Sequence, residues 1–394
     1  MPAYRTPLWM YVVAAVYIFT FFFNAQQEAF GPASTGWTAS WPALTVAAVH
    51  PNGPMAKAGV QSGDVIETVD GRPIRGMPDW FVARAHFRRD HPIDLQLRRG
   101  ERQVKLLVVI TSPAWRTWTR THLYADIAFY GVRFLLLLLA IYIGFRHPYN
   151  TNFRLAALLL AMGAVAEGYP SSGWAGALQR LPAIVAVPTC LAVASCLLSS
   201  VPWLWLFARF PGKRFSQLWL ERLILPPVLI LVVPILVSSY TLIYAPELLA
   251  RNWPELLSAA PVRVIQDAFG VAPLLYLNPW PSQQPTLQLL LLELWAAVSF
   301  VYFATGALML LSNSMGLERR DERRRFAMLT LAVFIFAGIA LHNVLTRNWV
   351  HWFGSAPPPL FFPSTFVVED ALFLLLPMAL ANCLLSEERS DGSS

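Results

Sequence analysis

Residues 51–74, PNGPMAKAGVQSGDVIETVDGRPI, form a polar, turn-rich stretch inside an otherwise oily chain. Asn52-Gly53-Pro54 reads as a turn entering a helix, with Pro54 at the first helical position, where a missing N–H costs little. Met55 to Ala58 supply about one helical turn. Gly59 ends it as a C-terminal cap, and Val60 can pack beneath. Gly63-Asp64 makes a second turn. Val65, Ile66 and Val69 mark a strand, Asp70-Gly71 is a strong hairpin signal, and Pro73 and Ile74 start the return. Working outward, a strand at Ala43 to Val49 precedes the stretch. PDWFVARAHFRR, residues 78–89, predicts a helix with Trp80, Phe81, Ala85 and Phe87 facing inward. Strands at Ile93 to Arg98 and Gln103 to Ile110, joined through Arg99-Gly100-Glu101, close a module over residues 36–111.

Around this module the composition changes. Of 394 residues, 56% are hydrophobic and only 13% charged, whereas a soluble domain carries about 25% charged residues. An apolar run from Leu8 to Phe23 precedes the module and reads as an uncleaved anchor, since no small-x-small cleavage site follows it cleanly. Seven further runs follow near 124–145, 153–169, 183–209, 222–243, 287–312, 325–346 and 361–386. At about 20 residues per span, the expectation is a polytopic α-helical membrane protein of about eight spans, with a small α/β domain inserted after the first. The organisation is then a start and anchor over 1–35, the module over 36–111, a seven-span bundle over 112–386 and a tail over 387–394. Cys190, Cys196 and Cys383 all fall in apolar runs without metal-ligand spacing and read as small core residues.

The net charge of +7 is explained first by orientation rather than by nucleic acid, for which nothing else speaks. With the N-terminus inside, the inner segments carry twelve Lys and Arg, five of them in ERRDERRR at 318–325. The outer loops after the second span carry four: Arg180, Arg251, Arg263 and Arg347. Positive residues stay inside, so both termini are expected inside and the module outside, periplasmic in a bacterial inner membrane.

The residues Pro51, Gly53, Pro54, Ala58, Gly59, Val60, Gly63, Asp64, Val65, Ile66, Val69, Asp70, Gly71, Pro73 and Ile74, at this spacing, resemble a bacterial-type PDZ domain. The resemblance implies binding of an extended peptide or protein C-terminus by strand addition. It places the groove between the strand Ala43–Val49 and the helix 78–89, with a carboxylate loop near Trp37 to Trp41. The groove residues it implies are Trp37, Trp41, Leu44, Val46, Phe81 and Ala85. The loop GWTASWPAL departs from the Gly-aromatic alternation of such domains. A PDZ fold also serves as a docking block with an empty groove, and a fold by itself does not settle a function.

Charges inside spans are costly and therefore informative. Arg133, Glu167, Glu293, His342, Asn343, Glu369 and Asp370 all fall in the outer half of the bilayer under this orientation. They read either as a polar cavity able to sense a ligand or proton, or as helix-to-helix glue in which Arg133 pairs with Glu293 or Glu369. No His-Glu-x-x-His, Gly-x-Ser-x-Gly or phosphate-binding Gly-rich loop occurs, so no catalytic residue, metal ligand or cofactor is assigned.

An anchor, an outside PDZ-like module and seven spans look like the sensor half of the competence quorum-sensing histidine kinases and related PDZ-containing signalling proteins. IYIGFRHPYNTNFRLAALLL reads like their short inner turn, and LERRDERRRFAMLTLAVFIFAG like their basic inner hairpin. After the last span only SEERSDGSS remains. The resemblance thus implies a sensing input module, not itself an enzyme, whose output kinase or phosphatase is either a separate partner or a missing C-terminal part. The alternative is a scaffold or accessory subunit of an envelope protease or secretion complex.

Overall fold

The computed structural model describes residues 6–31, 35–40, 44–74, 79–80, 83–84, 86–113, 116, 120–165, 178, 180–210, 217–234, 236–237, 287–317, 320, 322–335, 338 and 374–391. The chain opens with α1, Leu8–Phe30, an apolar helix of 23 residues. The small domain follows directly. Its elements are β1 (Trp37–Ser40), β2 (Thr45–Val49), α2 (Pro54–Lys57), β3 (Val65–Val69), β4 (Arg72–Pro73), β5 (Pro92–Arg99) and β6 (Arg102–Val109). The strands run β1-β2-β3-β5-β6 with β4 paired to β3, all antiparallel.

Local chemistry sets the turns as expected. Asp70 (φ 49°) and Gly71 (φ 75°) both lie in the left-handed region, which a two-residue hairpin of matching twist requires. Gly59, at φ 90°, ends α2, and Val60 donates back to the Met55 carbonyl at 3.0 Å, closing the last turn. Alternation does the rest. Ile93, Leu95 and Leu97 of β5 point inward, joining Leu44, Val46, Met55, Val60, Ile66, Val69, Trp80, Ala83, Phe87, Val108 and Ile110 in one core. The predicted helix over 78–89 is shorter than expected. The helical residues described there are 79–80 and 83–84. His86 and Phe87 then bond three residues back, to Ala83 and Arg84, the tightened geometry of a helix end.

The membrane-type helices are α1, α3 (Arg120–Arg146), α4 (Thr151–Val165), α5 (Ala183–Ser195), α6 (Ser200–Arg209), α7 (Gln217–Pro227), α8 (Leu287–Met315), α9 (322–335) and α10 (Leu375–Asp391). Among the described residues three stretches are long and apolar enough to cross a bilayer: Leu8–Phe30, Ile127–Arg146 and Ala297–Met315. Helices α5 and α6, bent by 56° at a short 3₁₀ turn, make a fourth if they count as one span. This corrects the expectation of eight. The run at 153–169 gives a helix of 15 residues, about 22 Å long against a hydrocarbon core of about 30 Å. The run at 222–243 is interrupted by Pro226 and Pro227 and continues as a π turn at Val228–Val232. In the run at 361–386 the described helix begins at Leu375.

Where helices break, a neighbour supplies the missing donor. Pro227 has no N–H for the Leu223 carbonyl. Tyr302 of α8 donates there at 3.2 Å, and to Ile224 at 3.4 Å. At the bend between α5 and α6, Trp295 donates its indole N–H to the Leu197 carbonyl at 2.6 Å. The end of α6 is capped by Asn313, which donates to Phe207 at 3.0 Å and Phe210 at 3.3 Å. In hydrocarbon an unpaired backbone group costs several kcal/mol, so such repairs are required. The turn between α3 and α4 falls where IYIGFRHPYNTNFRLAALLL placed it, with Asn150 Oδ1 accepting from the Asn152 amide at 2.9 Å. The basic stretch after α8 runs into the start of α9, where Arg323 donates to the Leu317 carbonyl. Of the cysteines, Cys383 is buried, and Cys190 and Cys196 are half-buried.

Candidate functional site

Strand β2 lies inside the sheet. It pairs with β1 along one edge. On the other, Val46 donates to Asp64 at 2.8 Å, and Gly63 donates to Val46 at 2.8 Å. Both edges are therefore taken, and the groove cannot run along β2 as the sequence suggested. Leu44 and Val46, expected to line it, are 2% and 1% exposed and belong to the core. Among the described residues, β1 is the terminal strand next to the helical residues. The segment read as a carboxylate loop is thus the sheet edge itself.

The start of β1 is firmly held. His50 donates to the Gly36 carbonyl at 2.8 Å and Met55 to Thr35 at 3.2 Å. Trp37, half-buried, sets its ring edge-on against Trp80 at 5.2 Å, and Trp80 does the same against Phe87 at 5.7 Å. Edge-to-face aromatic pairs add about 0.5–1.5 kcal/mol beyond burial. Trp37 thereby ties the edge strand to the helical residues. Trp41, Phe81 and Ala85 lie outside the described residues.

The turn residues of the opening motif are locked by a group that sequence reading passed over. Asp64 is 1% exposed. It accepts from Arg99 Nε and Nη2, each at 2.8 Å, and from the Gln61 amide at 2.8 Å. The same Nη2 donates to the Gly59 carbonyl at 2.8 Å. One guanidinium therefore reads both turns of GVQSGD. Burial alone would raise the Asp64 pKa, but the Arg99 hydrogen bonds, the Gln61 amide and the Arg99 charge outweigh it and hold it below the ordinary carboxylate value. By sequence, Arg99 reads only as part of a turn. The signal that could have found it is its place in β5 opposite the start of β3, with Arg98 paired to Val65.

Of the polar cluster expected in the membrane, Arg133 alone has a described side chain. It sits half-buried in α3 with its guanidinium 3.7 Å from the centre of the Phe129 ring, one turn earlier, a cation–π contact. Glu293 falls within α8, but its side chain is outside the described set, as are Glu167, His342, Asn343, Glu369 and Asp370. No group of three or more potential metal ligands occurs among the described residues.

No curated protein matches the chain. A family model described as the PDZ domain matches residues 45–82, the span from β2 to the helical residues beside β1. With the antiparallel sheet and turn geometry above, the match identifies a PDZ domain set after the first apolar helix.

Proposed function

We propose that this chain holds its PDZ domain at a membrane to take up an extended segment of a partner protein, by adding that segment to the free edge of β1. The observation that carries the reading is that β1 ends the described sheet while Trp37 contacts Trp80 of the helical residues. A bound strand would pair its main chain with β1 and lay alternate side chains over that contact. The test is a peptide screen against the full chain in nanodiscs, with free and amidated C-termini. Binding is expected, and N-methylation of alternate peptide residues should abolish it by removing strand-pairing donors. Binding that survives N-methylation, or no binding at all, refutes edge addition.

Within this proposal the finer reading is a sensing input module. The helices would form a membrane bundle with both termini inside and the domain outside. These residues would carry no catalysis themselves, and a kinase or phosphatase, as a partner or as a further C-terminal part, would provide the output. The basic stretch after α8 and the bent α5–α6 pair support it, because a broken helix repacked on α8 is the sort of element whose two packings a ligand can bias. Spin labels on α6 and α8 should change separation when the peptide saturates the domain. Unchanged separations would favour the accessory-scaffold alternative.

A further inference from the structure

A cleft of about 420 Å³ opens between the far end of α1 and the turn ahead of α5, walled by Phe19, Phe22 and Phe23 and closed by Gln26, Gln27 and Arg180. The α1 residues recur at i, i+3, i+4, i+7 and i+8, so one helical face carries all of them. That face changes character along its length. Its first part is aromatic: Phe19 stacks on Phe23 at 5.9 Å, and Phe22 is 55% exposed. One turn further on it presents carboxamides. Arg180 overhangs this polar end from the turn in which Leu181 donates to the Leu178 carbonyl at 3.0 Å. Desolvation lowers the Arg180 pKa, and the charge of Arg88, from the PDZ domain, lowers it further. A guanidinium and two carboxamides thus share the polar end of a cleft whose other end is an aromatic wall on an apolar, membrane-type helix.

An apolar wall with a cationic, amide-bearing rim is complementary to an anionic amphiphile. The guanidinium donates charge-assisted hydrogen bonds to a phosphate or carboxylate, and the phenyl rings take an acyl chain by van der Waals packing. We propose that this cleft binds the anionic headgroup of an amphiphile at Arg180 and Gln26, with its acyl chain along Phe19 and Phe22. The site is separate from the β1 edge and does not depend on peptide binding. Two sources fit the chemistry: a membrane phospholipid, or a soluble single-chain amphiphile.

The test uses the full chain in a neutral maltoside detergent, with thermal stability read against added phosphatidylglycerol, phosphatidylcholine, dodecyl phosphate and inorganic phosphate. Phosphatidylglycerol should raise the melting temperature in a saturable way, and phosphatidylcholine should not. Stabilisation by dodecyl phosphate as well identifies a general amphiphile site, and its absence identifies a phospholipid site. Arg180→Gln should weaken binding roughly ten- to a hundredfold, as loss of hydrogen bonds to a charged group does, while Arg180→Lys retains part of it. If R180Q does not fold, Phe22→Ser tests the opposite wall and should weaken the lipid response alone. Equal responses to phosphatidylglycerol and phosphatidylcholine, an undiminished response in R180Q, or saturation by inorganic phosphate alone would each overturn the proposal.

Discussion

Replacing Asp64 by Asn tests the link between the turn motif and the fold. The carboxylate is buried and accepts two Arg99 hydrogen bonds and one from the Gln61 amide, all at 2.8 Å. An Asn side chain keeps the volume but turns an NH₂ toward a guanidinium, donor against donor. Breaking a buried pair from one side costs about 3–5 kcal/mol. The Arg99 side chain is 36% exposed, so water recovers part of its hydration, and the loss should sit at the low end, about 3 kcal/mol. For a domain of this size each kcal/mol moves the midpoint by about 4–8 °C, so D64N should melt about 12–24 °C lower. The domain's core shares no residue with the bundle core, so residues 35–113 can be melted alone and followed by circular dichroism. Arg99→Met and the double variant complete a cycle in which the double loss should fall well short of the sum. Because the folded pKa of Asp64 lies below its unfolded value, its contribution is complete above the unfolded pKa of about 3.9 and fades as pH falls through the folded value. D64N should lack that acid limb. A melting shift under about 4 °C, or an additive cycle, would refute the assignment of Arg99 as the group that joins the two turns.

Other outcomes follow from the helix repairs. Tyr302→Phe leaves the Leu223 and Ile224 carbonyls without the donor that replaces the one lost at Pro227. It should destabilise the chain in detergent unfolding by about 0.6–1.7 kcal/mol, the range of interhelical hydrogen bonds in bilayers. Gly306→Ala puts a Cβ 2.6 Å from Trp203 Cδ1, and overpacking of this kind costs about 1–3 kcal/mol. The same substitution at Gly131, where a Cβ meets nothing within 4 Å, should be neutral in the same assay.

Much of the PDZ domain was legible because its determinants are local. Asp70-Gly71, Gly59 and Pro54 dictate backbone conformations by their own chemistry, and period-two burial in β5 is written residue by residue. The chemistry of β1 was not legible. Whether WTAS is loop or strand depends on pairing with β2, and whether a strand is an edge depends on which others lie beside it. Leu44 and Val46 look alike as groove or core residues until the sheet order is known.

The sequence alone determined an apolar chain with a polar, turn-built domain behind its first helix, since composition, periodicity and Gly/Pro turns need no partners. Tertiary structure decided everything that depends on two distant segments meeting. It moved the free edge to β1 and brought Arg99 onto Asp64 across 35 positions. It also set Tyr302 against the Leu223 and Ile224 carbonyls beside a proline break, 79 and 78 positions earlier, and Arg180 at the polar end of the aromatic face of α1. Each is a side chain satisfying a charge or a backbone group exposed elsewhere, and the residue type alone does not say which group that is.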